Sequence, residues 1–261
     1  MNGLDIVKHG MDMLLRNLGP ALRVSVGPTL IALVVTALLA ALGLGAALGP
    51  GTDFSQPSDL GAGWGFGFFV GSLLTMLLWL FVFSWSAVAW HRYILKEETP
   101  GLLPPLRTDL VWPYLGRSIL LALILVLLAL VVAIPLGLVL APIAALGGGI
   151  AAAITGLALA LALGWIGTRL SLALPARAVE RPMTFGESWA ATGPASGAIF
   201  TVVLILALIN FVLGSLFTLI LGDSLVAVLL SLVVQWFITM LGLSVLTTLY
   251  GHLVERRPLA A

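Results

Sequence analysis

The chain has 261 residues, of which 61% are hydrophobic and only 9% are charged, and its mean hydropathy is +1.17. Soluble domains are about 45–50% apolar and about 25% charged, so this chain has too little polar surface to cover a water-soluble globule. The composition excludes a cytosolic enzyme, a nucleic-acid-binding module and a disordered tail. It predicts an all-α integral membrane protein, and the net charge of +1 indicates no particular partner.

The residue types needed for catalysis or metal binding are scarce. The chain has no cysteine, which excludes disulfides, thiolate metal sites and a cysteine nucleophile. Its three histidines are His9, His91 and His252. The last two fall at predicted helix ends among aromatic residues, which is typical of a membrane interface rather than of a haem site. We therefore expect no catalytic residues, no cofactor and no metal site.

Residues 1–23 predict an amphipathic helix. Its apolar residues recur every three or four positions, at Leu4, Val7, Met11, Leu14, Leu15 and Leu18. Its charged residues lie on the opposite side, at Asp5, Lys8, Asp12 and Arg16. Such a pattern is typical of a helix on the membrane surface, and an N-terminal segment packed on a helix bundle would show it as well. The spread of charges argues against a secretory signal peptide.

Residues 24–261 predict a transmembrane domain of six helices. A bilayer core of about 30 Å needs about 20 apolar residues per helix, and five long uncharged stretches are available. The third is too long for one helix and contains a break at Pro142 and Gly147–Gly149. The predicted spans form three hairpins, at residues 28–48, 65–90, 118–141, 150–174, 197–221 and 225–250.

The basic residues predict the orientation. All twelve fall on one side of the six-span arrangement, whereas the opposite loops carry only Asp53, Asp59 and Asp223. By the positive-inside rule the basic side is cytoplasmic, so we expect a multi-pass protein of the bacterial inner membrane with both termini in the cytoplasm. Five or seven spans would destroy this separation.

A weak internal repeat follows the same layout. Each predicted cytoplasmic exit ends in apolar residues, charged residues and a proline, at 94–100, 179–182 and 254–258. A stretch of mixed polarity, which we expect to be interfacial, precedes each hairpin. Triplication of one unit and simple accumulation of hairpins both produce such a pattern.

Small residues at four-residue spacing predict close helix packing, because helices in lipid associate through close backbone approach. Two such stripes fall on the second and fourth spans. They comprise Gly63, Gly67, Gly71, Ala152, Gly156, Ala160 and Gly164.

Two amides predict a polar contact in the middle of the last hairpin. If the turn is centred near residues 222–223, Asn210 faces Gln235 at one depth. Such a pair fixes helix register, and an intramembrane polar pair is also a candidate substrate site.

Residues 172–189 are the most distinctive part of the sequence. Thr184 followed by Glu187 predicts a capping box that begins a short helix, with Trp189 anchoring it at the interface. A functional interpretation makes the charged residues here docking or lipid-headgroup contacts, namely Arg177, Glu180, Arg181 and Glu187. Ordinary positive-inside charge at a helix start is the alternative.

Three segments resemble a group of bacterial six-helix membrane proteins similar to the membrane domain of some glycerophosphoryl diester phosphodiesterases. They are the helix exit 169–175, the segment 178–182, and 185–189 leading into the next span. The resemblance covers mainly the last third of the chain. It implies a bacterial membrane protein, and it transfers no active site because the matching segments contain no catalytic residue.

Two functional hypotheses follow. The first is a non-catalytic accessory or assembly component that packs against membrane lipids or a larger membrane protein complex. The second is a small transporter or lipid-handling protein with a cavity near Asn210, Gln235 and Pro135. An enzyme is not expected, because the spans lack a carboxylate pair, a histidine cluster or a Ser–His pairing at one depth.

Overall fold

A computed structural model describes residues 2–42, 62–147, 149–221 and 224–259 of the chain. Within these ranges the chain is helical and contains no strand. The helices in chain order are α1 (Gly3–Arg16), α2 (Leu18–Ala41), α3 (Ala62–Lys96), α4 (Thr108–Gly147), α5 (Gly149–Leu170), α6 (Ala173–Ala178), α7 (Phe185–Ala191), α8 (Ser196–Leu221) and α9 (Leu225–Leu253). A 3-10 turn over Gly193–Ala195 leads into α8.

Among the described helices, α2, α3, α4, α5, α8 and α9 are long and apolar enough to cross a membrane. This confirms the expectation of a multi-pass membrane protein. The end of the first predicted span at 43–48, and the acidic residues Asp53, Asp59 and Asp223, lie outside the described residues.

Several helices have bounds that differ from the predicted spans. α2 begins ten residues before Pro28, and α4 runs from Thr108 through Pro142 to Gly147. The fourth span ends at Leu170 rather than Leu174. A proline ring clashes with the carbonyl four residues earlier, so Pro175 disfavours a continuous helix through Ser171, and α6 begins separately.

The long helices contact one another in a circuit. α3, α4, α5, α8 and α9 follow in turn, and α9 returns to α3. α2 packs on α3, and the Trp236 indole of α9 donates a hydrogen bond to Ser25 Oγ of α2 at 2.8 Å. The short helix α6 is almost wholly buried against α3, α4 and α9. It therefore closes the circuit at one end.

Helix α1 lies across the neighbouring ends of α8 and α9. Its buried face includes Ile6, Val7 and Leu14. Gly3 and Gly10 give the closest approach, since a Cβ at Gly10 would lie 2.9 Å from Val245 Cγ2. Ile6, Val7 and Leu14 therefore pack on the bundle, whereas Leu4, Leu15 and Leu18 are exposed, so both interpretations of residues 1–23 stay predictions.

Burial divides the molecule into two parts. The polar end comprises α1, α6, α7, the last four turns of α3, the first three turns of α4 and residues 240–259. Its core includes Trp90, Tyr114 and Tyr250, which are fully buried. The apolar half comprises residues 66–80, 122–138, 154–162, 204–215 and 229–239, and beyond 66–80 none of its residues is buried.

Candidate functional site

Three helix exits at the polar end share an unusual backbone conformation. Glu97 after α3, Glu180 after α6 and Arg256 after α9 have φ angles of 58°, 65° and 56°. They are the non-glycine residues of the described chain with positive φ, a region that disfavours side chains bearing a Cβ. Each precedes by two or three residues the proline of one predicted repeat. The repeated sequence pattern therefore has a repeated backbone turn. In the exits after α6 and α9, the residue with positive φ lies two residues before the proline.

The exit after α3 is tied to the exit after α6 by Arg92. This side chain is 6% exposed, and its Nη1 donates to the Ala178 carbonyl at 2.9 Å and to Glu180 at 3.0 Å. Its other edge pairs with Glu98. Because the Ala178 carbonyl is at a helix C-terminus, the guanidinium supplies a donor that the helix itself cannot.

The exit after α9 is tied to both of the others. Arg257 Nη2 donates to the Leu95 carbonyl near the end of α3 at 2.7 Å. Glu255 lies 3.9 Å from Arg181 of the second exit. The three exits thus form a closed set of contacts, which we call the exit junction (residues 92–98, 178–181 and 255–257).

Glu180 has the largest electrostatic perturbation in the exit junction. Hydrogen bonds from Lys96 and then Arg92 lower the pKa of its carboxyl from 4.5 to about 2. Its carboxylate is nevertheless 45% exposed. The residue therefore acts as an ionic link between two exits and does not have the raised pKa of a general acid.

A buried polar chain lies beneath the exit junction. His91 is fully buried, with Nδ1 at 2.8 Å from Thr247 Oγ1 and Nε2 at 3.3 Å from the Tyr114 hydroxyl. The Thr247 hydroxyl already donates to the Leu243 carbonyl, so it accepts from His91, and Nδ1 carries the proton. Nε2 then accepts from Tyr114. This arrangement satisfies both nitrogens of the imidazole.

One cavity of about 120 Å³ opens next to this chain, between α1, the end of α3 and the C-terminal segment. Its polar lining includes His9, Thr248, His252 and Arg257. His252 already bonds the Arg257 carbonyl through Nδ1. No group of three metal-binding side chains gathers here or elsewhere among the residues that the structure describes.

Helix α7 begins as the sequence predicts. Thr184 Oγ1 accepts from the Glu187 backbone N–H at 3.1 Å, and Glu187 accepts from the Thr184 backbone N–H. These bonds lower the pKa of the Glu187 carboxyl. The predicted capping box is confirmed, and it accounts for Glu187 as part of the local fold.

Two arginines hold α7 at its two ends. Arg117 of α4 donates to the Met183 carbonyl at 2.6 Å and lies 5.6 Å from the Phe185 ring centroid. Arg169 of α5 holds the other end through Trp189. Sequence reasoning did not predict this clamp, although Trp165, one helical turn before Arg169, was a signal for it.

The four proposed docking residues therefore divide among several environments. Glu180 and Arg181 belong to the exit junction, whereas Glu187 belongs to the capping box. Arg177 lies on α6 and is half-buried. A docking or headgroup role for them stays a prediction.

Asn210 and Gln235 both lie in the apolar half and are exposed. The Asn210 amide donates to the Leu206 carbonyl of its own helix at 3.2 Å. The backbone carbonyl of Gln235 accepts a hydrogen bond from Thr239 Oγ1. The mid-membrane pair and its functional interpretation stay predictions.

The small-residue stripes occupy two kinds of surface. A Cβ at Gly67 or Gly156 would meet nothing within 4 Å, and Ala160 is exposed. In contrast, a Cβ at Gly164 would lie 2.9 Å from Val203 Cγ1, and Gly71 is buried. The remaining stripe positions, Gly63 and Ala152, lie on α3 and α5.

No family model, curated protein or solved structure matches this chain. The resemblance of residues 169–189 to the phosphodiesterase-linked membrane domain therefore stays an expectation. The functional interpretation depends on the geometry alone.

Proposed function

We propose that this protein is a non-catalytic component of the bacterial inner membrane, an accessory or assembly factor that packs against lipid and a larger membrane protein complex. Its termini lie in the cytoplasm, a placement supported by the gathering of basic side chains at the polar end. The proposal includes no cofactor and no nucleic-acid partner.

The observation that carries the proposal is the contrast in burial. Residues 122–138 of α4 belong to the span Thr108–Leu138. In an apolar stretch of 18 residues of this span, only 6% is buried by the rest of the chain. Two small-residue positions in the apolar half, Gly67 and Gly156, face open space. Because small residues let helix backbones approach closely, these surfaces suit contact with helices of another membrane protein.

The test introduces side chains on the open surfaces. Gly67→Leu and Gly156→Leu should reduce co-purification of a membrane complex in mild detergent, while the thermal stability of the isolated chain stays unchanged. Gly116→Leu is the matched control, because a Cβ at this site also meets nothing within 4 Å but lies at the polar end. Normal complex yield from both variants would overturn the proposal.

A second control separates folding from association. Gly164 lies on the same helix as Gly156 but packs against Val203 within the chain. Gly164→Leu should therefore lower the stability of the isolated chain. If Gly156→Leu lowered it equally, the Gly156 surface would be internal packing rather than a contact surface.

A further inference from the structure

Arg169, the penultimate residue of α5, is buried in an unusual setting. The residue is only 7% exposed, and its guanidinium lies 3.5 Å from the Trp189 ring centroid and 5.2 Å from that of Trp165. Arginine stacks readily on aromatic faces, and the ring quadrupole attracts its charge. The cation is therefore held in a fixed orientation by two indoles.

The hydrogen bonds of this guanidinium are made to uncharged acceptors. Nε donates to Thr192 Oγ1 at 3.2 Å, and Nη2 donates to the Trp189 carbonyl at 2.8 Å. The hydrogen bonds of the Arg169 side chain to the described part of the chain are made by Nε and Nη2 and not by Nη1. Several of the five N–H donors thus remain available along one edge.

Arg92 shows what is missing at Arg169. Both arginines are buried, but Arg92 pairs with the carboxylates of Glu98 and Glu180. Within the described ranges no carboxylate pairs with Arg169. The indole faces, the carbonyl and hydroxyl acceptors and the C-terminus of α5 compensate the buried cation only in part, so the site can still accept an anion from outside the chain.

The surroundings of the open edge also favour an anion. Gly193 lies next to it, since a Cβ there would be 4.0 Å from Nη2, and the turn beginning at Gly193 leads into α8. The N-terminus of a long helix carries partial positive charge. Trp189 beside it is 38% exposed, as expected of an aromatic residue at a membrane interface.

We propose that Arg169 binds the phosphate group of a membrane phospholipid. The free edge at Nη1 and Nη2 donates to the phosphate oxygens, and the Trp189 ring lies against the lipid at the headgroup level. An arginine is well suited to this because its planar fork matches phosphate oxygens. The site is separate from the Gly67 and Gly156 surfaces, so it stands or fails independently of the proposed association with a complex.

The most direct test introduces a carboxylate next to Arg169 by substitution within the chain. Gly193→Asp should place a carboxylate beside Nη2 without removing Arg169, because the nearest atom to a Cβ at Gly193 is Nη2 itself, at 4.0 Å. This variant should bind phospholipid at least tenfold more weakly than the wild type and should be more heat-stable in lipid-free detergent. Gly193→Asn, which has the same shape without the charge, should bind as the wild type does.

A second pair of variants keeps the test valid if Gly193→Asp does not fold. Arg169→Gln should also reduce binding at least tenfold. Arg117→Gln removes the clamp at the other end of α7 and should leave binding unchanged, so a loss in both would indicate disruption of α7 and overturn the assignment to Arg169.

The binding assay uses the full chain in mild detergent, with bound lipid counted by native mass spectrometry. The probes are dioctanoyl phosphatidylglycerol, dioctanoylglycerol and inorganic phosphate. The wild type should retain the phosphatidylglycerol at least tenfold more strongly than either other probe. Equal retention of dioctanoylglycerol would show that acyl chains alone bind, and equal retention of inorganic phosphate would show a free-anion site; either result overturns the lipid assignment. So would Gly193→Asp retaining the lipid as the wild type does.

Discussion

The polar end and the apolar half of this molecule are stabilised in different ways. At the polar end, Arg92 and His91 are buried and bonded, and side chains from distant parts of the sequence meet. In the apolar half, hydroxyl and amide groups such as those of Asn210 and Thr239 bond to carbonyls one turn away on their own helix. The described polar contacts between helices are therefore concentrated at the polar end, and the Trp236–Ser25 hydrogen bond is one that reaches into the apolar half.

The largest expected effect comes from breaking the exit junction at Arg92. Arg92→Met leaves Glu98 and the Ala178 carbonyl without this donor and leaves Glu180 with Lys96, so it should lower the free energy of unfolding by about 3 kcal/mol. Thermal unfolding in detergent measures this. The control is Arg23→Met, because Arg23 is exposed and lies on α2, outside the exit junction. Equal losses from the two variants would mean that the exit junction does not organise the fold.

The next effect comes from separating α1 from the bundle. In Gly10→Val the new Cβ would lie 3.2 Å from the Val245 backbone nitrogen, which cannot move aside as a side-chain terminus could. We expect a loss of about 2 kcal/mol in unfolding free energy. Gly19→Val is the control, because a Cβ there meets nothing within 4 Å. If both variants were equally stable, α1 would not be docked through Gly10.

These glycines show where sequence reasoning succeeded and where it stopped. Hydrophobic runs predicted the six apolar helices, and local spacing predicted the Thr184 capping box, because both depend on residues close together in the chain. Spacing also selected Gly67 and Gly156, which face open space, and passed over Gly3 and Gly10. A four-residue period shows that a close approach is possible on a helix face, but the partner on that face is a tertiary property.

The exit junction was only partly predictable for a related reason. The proline-containing exits were visible as a repeated pattern, and Glu180 and Arg181 were singled out within it. Arg92 was not, because its partners Glu98 and Glu180 become neighbours only after the exits of α3 and α6 meet. The clamp at Arg169 was not predicted either, because the burial of Arg169 by Trp189 depends on the placement of α7.

A smaller, pH-dependent effect tests the ionic link in the exit junction. The pKa of Glu180 is lowered from 4.5 to about 2 in the folded protein, so its contribution to stability is present above pH 4.5 and is lost as the pH falls toward 2. Glu180→Gln should therefore differ from the wild type in melting temperature above pH 4.5, and the two should converge below it. Because Lys96 is the largest cause of the shift, the difference should shrink in a Lys96→Met background. A difference that did not change with pH would show that the side-chain amide is disruptive for another reason.

The smallest expected effect is on thiol labelling at a position in the apolar half. This measurement distinguishes between the two functional hypotheses. The chain has no cysteine, so a thiol introduced as Asn210→Cys reports on that position alone. Asn210 is exposed within the single chain and bonds to its own helix, which is compatible with a lipid-facing position. If the apolar half only contacts lipid and partner helices, a membrane-impermeant thiol reagent should not label this position in intact vesicles from either aqueous side. Arg177→Cys at the polar end is the positive control. Labelling at position 210 would indicate water reaching mid-membrane, and it would favour a transporter or lipid-handling protein over an accessory component.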